Sequence, residues 1–122
     1  MHQEASSIYN SPMIAGSSPI RILAVDDHPV VRKGLRMAIE EARLADFPFG
    51  AVIVRDGKVM ARGRNLGRTN RDPTAHGEMD AIRKCLAEHG PATLRGSTLY
   101  TSGEPCAMCM GAILWCHVER LV

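Results

Sequence analysis

The 122-residue sequence has no hydrophobic run long enough to cross a bilayer. Its longest uncharged stretches, residues 5–20 and 105–118, are both shorter than the roughly 18 residues a membrane span needs. Neither sign of charge dominates: 15 Lys and Arg against 13 Asp and Glu leave a net charge of +2, too small by itself to imply nucleic acid or an acidic membrane surface. Residues 1–16 lack the basic segment and apolar core of a secretory signal, and their Ser, Asn and Pro content reads as a loose tail over residues 1–19. The expectation is a cytoplasmic domain with no membrane partner, and the length allows about one hydrophobic core. Cysteine is also scarce. Cys85, Cys106, Cys109 and Cys116 would suffice for two disulfides, but a Cys-x-x-Cys pair with a distant His-x-Glu is better explained by metal in a reducing cell.

That split pattern is the most informative feature present. His76-Gly77-Glu78 is followed, after 26 intervening residues, by Pro105-Cys106-Ala107-Met108-Cys109. One histidine and two cysteines make three ligands for Zn2+ and leave the fourth tetrahedral position for water, the arrangement of a catalytic rather than a structural site. A structural site would want a fourth protein ligand. Cys85 and Cys116 lie in apolar helical patterns and read as buried thiols, while His2, His28, His89 and His117 have no partner at ligand spacing. Zinc in an open site makes water a nucleophile near neutral pH. Glu78 is then the candidate proton carrier. Cys106 and Cys109 are three apart and share a helix face, and the free N–H groups at a helix start favour thiolates. Within a helix interior His76 and Glu78 would diverge by about 200°. They share a site only if the helix aims its first turn at the metal, and Asp72-Pro73-Thr74 supplies such a start.

The organisation along the chain is alternating. Residues 20–25 read as a strand, Asp26-Asp27-His28 as a turn, and Pro29 as the first position of a helix with Val31, Leu35, Ala38 or Ile39, and Ala42 on one face. Residues 51–55 and 58–63 flank Asp56-Gly57, a strong hairpin signal because a type I′ turn needs positive φ at both central residues. A loop over residues 64–71 leads to a helix carrying Met79, Ile82 and Leu86, closed by His89-Gly90-Pro91. A strand over 97–101, a helix over 105–116 and a strand beginning at Val118 complete the pattern. Arg62, Arg64, Arg68 and Arg71 surround Asn65 and could follow phosphates. Without interleaved aromatics to stack bases, the solvated loop is the favoured reading.

Residues 20–39 resemble the opening of a response-regulator receiver domain, a fused fragment in which Asp26 and Asp27 are expected to be solvated turn carboxylates. Residues 37–122 resemble the cytidine/deoxycytidylate deaminase-like superfamily, in the branch of guanine deaminases, fungal cytosine deaminases and tRNA adenosine deaminases. Phe47-Pro48-Phe49-Gly50-Ala51-Val52, Gly63-Arg64-Asn65, Asp72-Pro73-Thr74-Ala75-His76-Gly77-Glu78 and residues 99–113 carry this resemblance, including the H-x-E…P-C-x-x-C signature. It implies a three-layer α/β/α sandwich with a mixed sheet, an initial hairpin and Zn2+ between two helix N-termini. His76, Cys106 and Cys109 would hold the metal, Glu78 would be catalytic, and Asn65, Ala75 and Pro105 would meet the substrate. The implied activity is hydrolytic deamination of a guanine- or cytosine-type nucleobase or nucleoside. The alternatives are a tRNA or single-stranded nucleic-acid deaminase, or an inactive zinc-binding fusion. Superfamily members continue past the strand at Val118 with at least one more helix. Relative to them this sequence implies an open pocket, and an exposed strand edge that invites a homodimer.

Overall fold

A computed structural model of the chain describes the backbone of residues 5–10, 21–25 and 29–122, with side chains from residue 29 onward. Strands β3 (Gly50–Arg55), β4 (Lys58–Arg64), β5 (Thr98–Thr101) and β6 (Arg120–Leu121) form a mixed sheet in the order β4-β3-β5-β6. They follow a separate pair, β1 (Ala5–Asn10) and β2 (Arg21–Val25), which is antiparallel. β3 is antiparallel to both β4 and β5, and β5 is parallel to β6. The period-2 alternation of β3 and β5 divides the core. Ala51, Ile53 and Leu99 face Ala81, Ile82 and Cys85 of α2 (Gly77–His89) and Ile113 of α3 (Ala107–Trp115). Val52 and Tyr100 face Val31, Met37 and Ala38 of α1 (Pro29–Arg43) on the other side. The result is the expected α/β/α layering, with buried residues of both signs of the pleat. Among the described residues, no helix is long and apolar enough to cross a membrane.

The Asp56-Gly57 turn has φ of +50° and +74°, as the type I′ hairpin requires. The register shifts between Ile53 and Val54, a bulge that leaves Met60 as the extra residue on β4. Because β3 runs against both neighbours, the start of β3 lies beside the ends of β4 and β5. Phe49 O accepts from the Asn65 N–H at 3.0 Å, and Gly50 O accepts from the Ser102 N–H at 3.0 Å. The Gly50 N–H donates to Ser102 Oγ at 3.0 Å. Three chain segments are thereby stitched at one end of the sheet, where the N-termini of α2 and α3 also arrive.

Two expectations are corrected. The segment read as a loose tail contains β1; its Ile8 and Tyr9 are strand-favouring residues, and pairing with β2 satisfies backbone groups of both strands. The receiver-like strand therefore pairs with β1 and does not join the central sheet. Asp26, Asp27 and His28 lie outside the described residues. The second correction concerns α2, which starts at Gly77 rather than near Asp72. Asp72 Oδ1 accepts from both the N–H and the hydroxyl of Thr74, at 2.8 and 2.7 Å. This Asx turn competes with helix and delays it.

α2 approaches β4 closely at Gly63. A Cβ there would collide with the Gly77 carbonyl oxygen and the Ala81 amide nitrogen, both backbone atoms of α2. Since backbone cannot swing aside as a side chain can, Gly63→Ala is expected to lose about 1–3 kcal/mol of stability, read as a lower midpoint in chemical denaturation.

Candidate functional site

His76 and Cys106 are the N-cap residues of α2 and α3, with extended backbone at φ −74°, ψ 159° and φ −69°, ψ 173°. An N-cap stands outside helical geometry, so the divergence that would separate His76 from Glu78 in a helix interior does not apply. Glu78 follows as the second residue of α2 and Cys109 as the third of α3. His76 Nδ1 lies 3.4 Å from Cys106 Sγ and 3.6 Å from Cys109 Sγ. A tetrahedral zinc with Zn–S of about 2.3 Å and Zn–N of about 2.0 Å separates its nitrogen and sulfur ligands by about 3.6 Å. The three donor atoms lie within 4.8 Å of one another, so the residues fit this ion.

The local electrostatics point the same way. The backbone amide of Cys109, followed by that residue's side chain and the Met108 amide, holds the Cys106 thiol below its usual pKa. Cys109 is fully buried. Burial first, and then the neighbouring Glu78 carboxylate, push its thiol well up. The buried Cys109 thiol beside this carboxylate resists ionisation without a cation, and a divalent ion reverses that balance. Glu78 is itself buried, and its Oε1 accepts from Thr101 Oγ1 at 2.9 Å.

A cavity of about 740 Å³ opens in front of this cluster, with His76, Glu78 and Cys106 on its wall. Asn65 lines it too and is only 6% exposed. Its Oδ1 accepts from the Gly67 N–H at 2.9 Å, which leaves the amide nitrogen as its donor. The residue thus caps its own turn and faces the cavity at once. Ala75 and Pro105 are not among the residues on the cavity wall. Ala75 is buried, and its carbonyl accepts from the Leu66 N–H at 2.9 Å, tying the Asn65 loop to the start of α2.

The arginines divide into two pairs. Arg64 binds Glu41 of α1 at 2.9 and 3.0 Å, and Arg62 lies 4.0 Å from the same carboxylate. Arg68 and Arg71 instead line the cavity, together with Phe47, Phe49 and Glu104. The Arg68 guanidinium sits over the Phe47 ring, 5.4 Å from its centroid. The arginine cluster therefore has aromatic neighbours that its local sequence does not show.

The description of a known family model, the cytidine and deoxycytidylate deaminase zinc-binding region, matches residues 28–122. The chain belongs to this family. It is 56% identical over 74 residues to the guanine deaminase of Bacillus subtilis, covering 61% of this chain and 47% of that protein. It is 40% identical over 97 residues to the tRNA-specific adenosine deaminase of Haemophilus influenzae, covering 79% of this chain and 56% of the relative. The X-ray structure of the Bacillus subtilis guanine deaminase superposes with a TM-score of 0.67 at 41% identity, covering 79% of this chain and 62% of that one. The chain thus spans about half the length of these curated relatives.

In this deaminase-family chain, Thr101 contacts Glu78 and Phe47, Phe49 and Glu104 line the cavity; all four stand in stretches that carry the resemblance, which assigns them no site role. Thr101 closes β5 just before the Pro-Cys segment, which is the one local signal for it. If three side chains hold the metal, the purified protein carries about one zinc per chain by elemental analysis, and Cys106→Ser/Cys109→Ser carries none. Chelation is expected to lower the thermal midpoint of the unsubstituted protein, since metal held only by the folded state stabilises it.

Proposed function

We propose that the chain is a zinc-dependent hydrolytic deaminase of an amino-substituted nucleobase or nucleoside of guanine or cytosine type. The observation that carries this reading is a buried carboxylate, Glu78, on the cavity wall beside the His76, Cys106 and Cys109 donors. Zinc held there would supply a water activated as a nucleophile near neutral pH. Glu78 would accept one proton of that water and deliver it to the ring nitrogen as the oxygen bonds to the amino-bearing carbon. The proton left on that oxygen would pass through Glu78 to the exocyclic nitrogen. The carbon–nitrogen bond then breaks, ammonia leaves and a carbonyl stays on the ring.

Thr101 suits this traffic. Its Oγ1 lies 2.9 Å from both Glu78 Oε1 and Gly103 O. The hydroxyl can donate to the carboxylate form, or accept from the acid form while donating to Gly103 O. The Asn65 amide nitrogen supports the orientation of the ring by donating to an acceptor on its edge. Guanine is favoured as a first substrate by the Bacillus subtilis relative. The Haemophilus influenzae relative gives a second reading, a base presented by tRNA, and the arginines at the cavity are the feature that favours it. A homodimer is part of the proposal, supported by the exposed Leu114 and Trp115 on α3.

Ammonia release from guanine, cytosine and their nucleosides tests the reading. Glu78→Gln is expected to lower turnover by about 10²- to 10⁴-fold while retaining zinc. Turnover that survives this substitution would remove Glu78 from the mechanism. An inactive zinc-binding fusion would instead release no ammonia with Glu78 intact. Thr101→Val is expected to lower kcat more than it raises KM, because it touches the proton carrier rather than the base.

A further inference from the structure

We propose that Asp46 is a positioning residue for the site: its carboxylate, bound to Thr69, fixes the loop over residues 65–72 at the distance from Phe49 that admits a planar ring. The inference rests on the deaminase reading and concerns how that same cavity binds its substrate. Asp46 lies between α1 and β3, and both its backbone and its side chain engage the loop after β4. Its N–H donates to Asn65 O at 2.9 Å. Its Oδ2 accepts from the Thr69 N–H at 2.6 Å and its Oδ1 from the Thr69 hydroxyl at 2.9 Å. One residue thus grips the loop at Asn65 and again at its tip. The Thr69 N–H foremost, then the Thr69 hydroxyl and Arg68, hold the Asp46 carboxyl below its usual range against the opposing effect of burial. The carboxylate therefore persists through the neutral range.

Phe49, a little further along, is fixed to the opposite wall. A Cβ added to Gly103 would stand 3.1 Å from two carbons of the Phe49 ring, so the ring lies close over Gly103, beside Glu104 and Cys106 of the cavity wall. Residues 46–49 therefore bridge the two loops that bound the cavity, and Phe47 carries the Arg68 guanidinium over its ring. Hydrogen bonds within the loop, from the Asn70 N–H to Leu66 O at 2.8 Å and from the Asp72 N–H to Gly67 O at 3.0 Å, hold its shape but not its distance from Phe49. The metal donors are anchored separately, on the starts of α2 and α3, and Glu78 is tied to Thr101. Losing the Asp46 side chain would release the substrate-side wall and leave the chemical side in place. Such a change weakens binding of substrate and transition state alike, which raises KM and spares kcat.

Steady-state kinetics with guanine, cytosine and their nucleosides, on zinc-loaded Asp46→Ala, Asp46→Asn and Thr69→Val proteins, test this beside trypsin cleavage after Arg68 and Arg71. Asp46→Ala is expected to raise KM about 10-fold, the scale of hydrogen bonds to a charged group, with kcat changed by less than about two-fold. Trypsin should cut its loop about 10-fold faster at an unchanged denaturation midpoint, because cleavage there reads local opening. Asp46→Asn should recover most of both properties, since the amide oxygen can accept from the Thr69 N–H while its nitrogen donates to the hydroxyl. Thr69→Val should be intermediate, and should add little to Asp46→Ala because the two groups act as a pair. Unchanged KM with unchanged cleavage overturns the proposal, as does a loss confined to kcat, a loss of zinc, or an Asp46→Asn protein no better than Asp46→Ala. Should Asp46→Ala fail to fold, Thr69→Val decides, since it keeps the backbone N–H: KM and cleavage unchanged in that protein would equally overturn the proposal. No turnover of any base by the unsubstituted protein would sink the deaminase reading, and the cleavage comparison would still decide whether Asp46 holds the loop.

Discussion

A histidine nitrogen, two sulfurs and a buried carboxylate occupy one small volume, a crowding that a divalent cation would relieve. Cys109 is buried beside Glu78, so its thiolate is unfavourable until a metal arrives. Much of the fold can be understood as the framework that imposes this crowding. Two helices end with their N-caps, His76 and Cys106, at the same end of one sheet. Each cap has extended backbone, which frees its side chain from the helical repeat and turns it towards the other. Gly63 allows α2 to lie directly on β4, and Gly50, Asn65 and Ser102 lock the strand ends that carry the two loops. Loosening any of these contacts would move a ligand before it disturbed the core.

The same end of the sheet also explains the cavity. An antiparallel hairpin returns the chain to the place where it began, and Gly50 pairs with Arg64. The segment before β3 and the loop after β4 must then be neighbours, so Phe47 meets Arg68 and Phe49 lines the same cavity. One half of the cavity presents His76, Cys106 and Glu78, the other an aromatic and cationic loop, and Asn65 stands on the same wall.

How much of this is legible in sequence follows from the range of the forces involved. The donor set is legible because coordination demands fixed residue types at short spacings, and the Asp56-Gly57 turn because its backbone conformation restricts residue choice. The strand character of residues 51–55 and 97–101 is equally local, while the division of their side chains between two helix layers appears only in the fold. What escapes sequence reasoning is set by competition or by distance. The Asx turn at Asp72 competes with helix and delays α2 to Gly77. The carbonyl of Ala75 ties the Asn65 loop to the start of α2 through Leu66, a contact that motif position does not reveal. Four arginines close in sequence have two different fates, because Glu41 arrives from α1 to capture two of them. The pairing of β1 with β2 is also non-local, and no periodicity in residues 1–19 reveals it.

The central claim is an open metal site with three protein ligands of two kinds. X-ray absorption at the zinc edge of the metal-loaded protein tests it most directly. The account predicts two sulfur ligands at about 2.3 Å and two light ligands at about 2.0 Å, one of them an imidazole and the other solvent. Three or four sulfur ligands would recruit Cys85 or Cys116 and make the site structural, and a shell of light atoms alone would remove Cys106 and Cys109 from the metal; either result contradicts it.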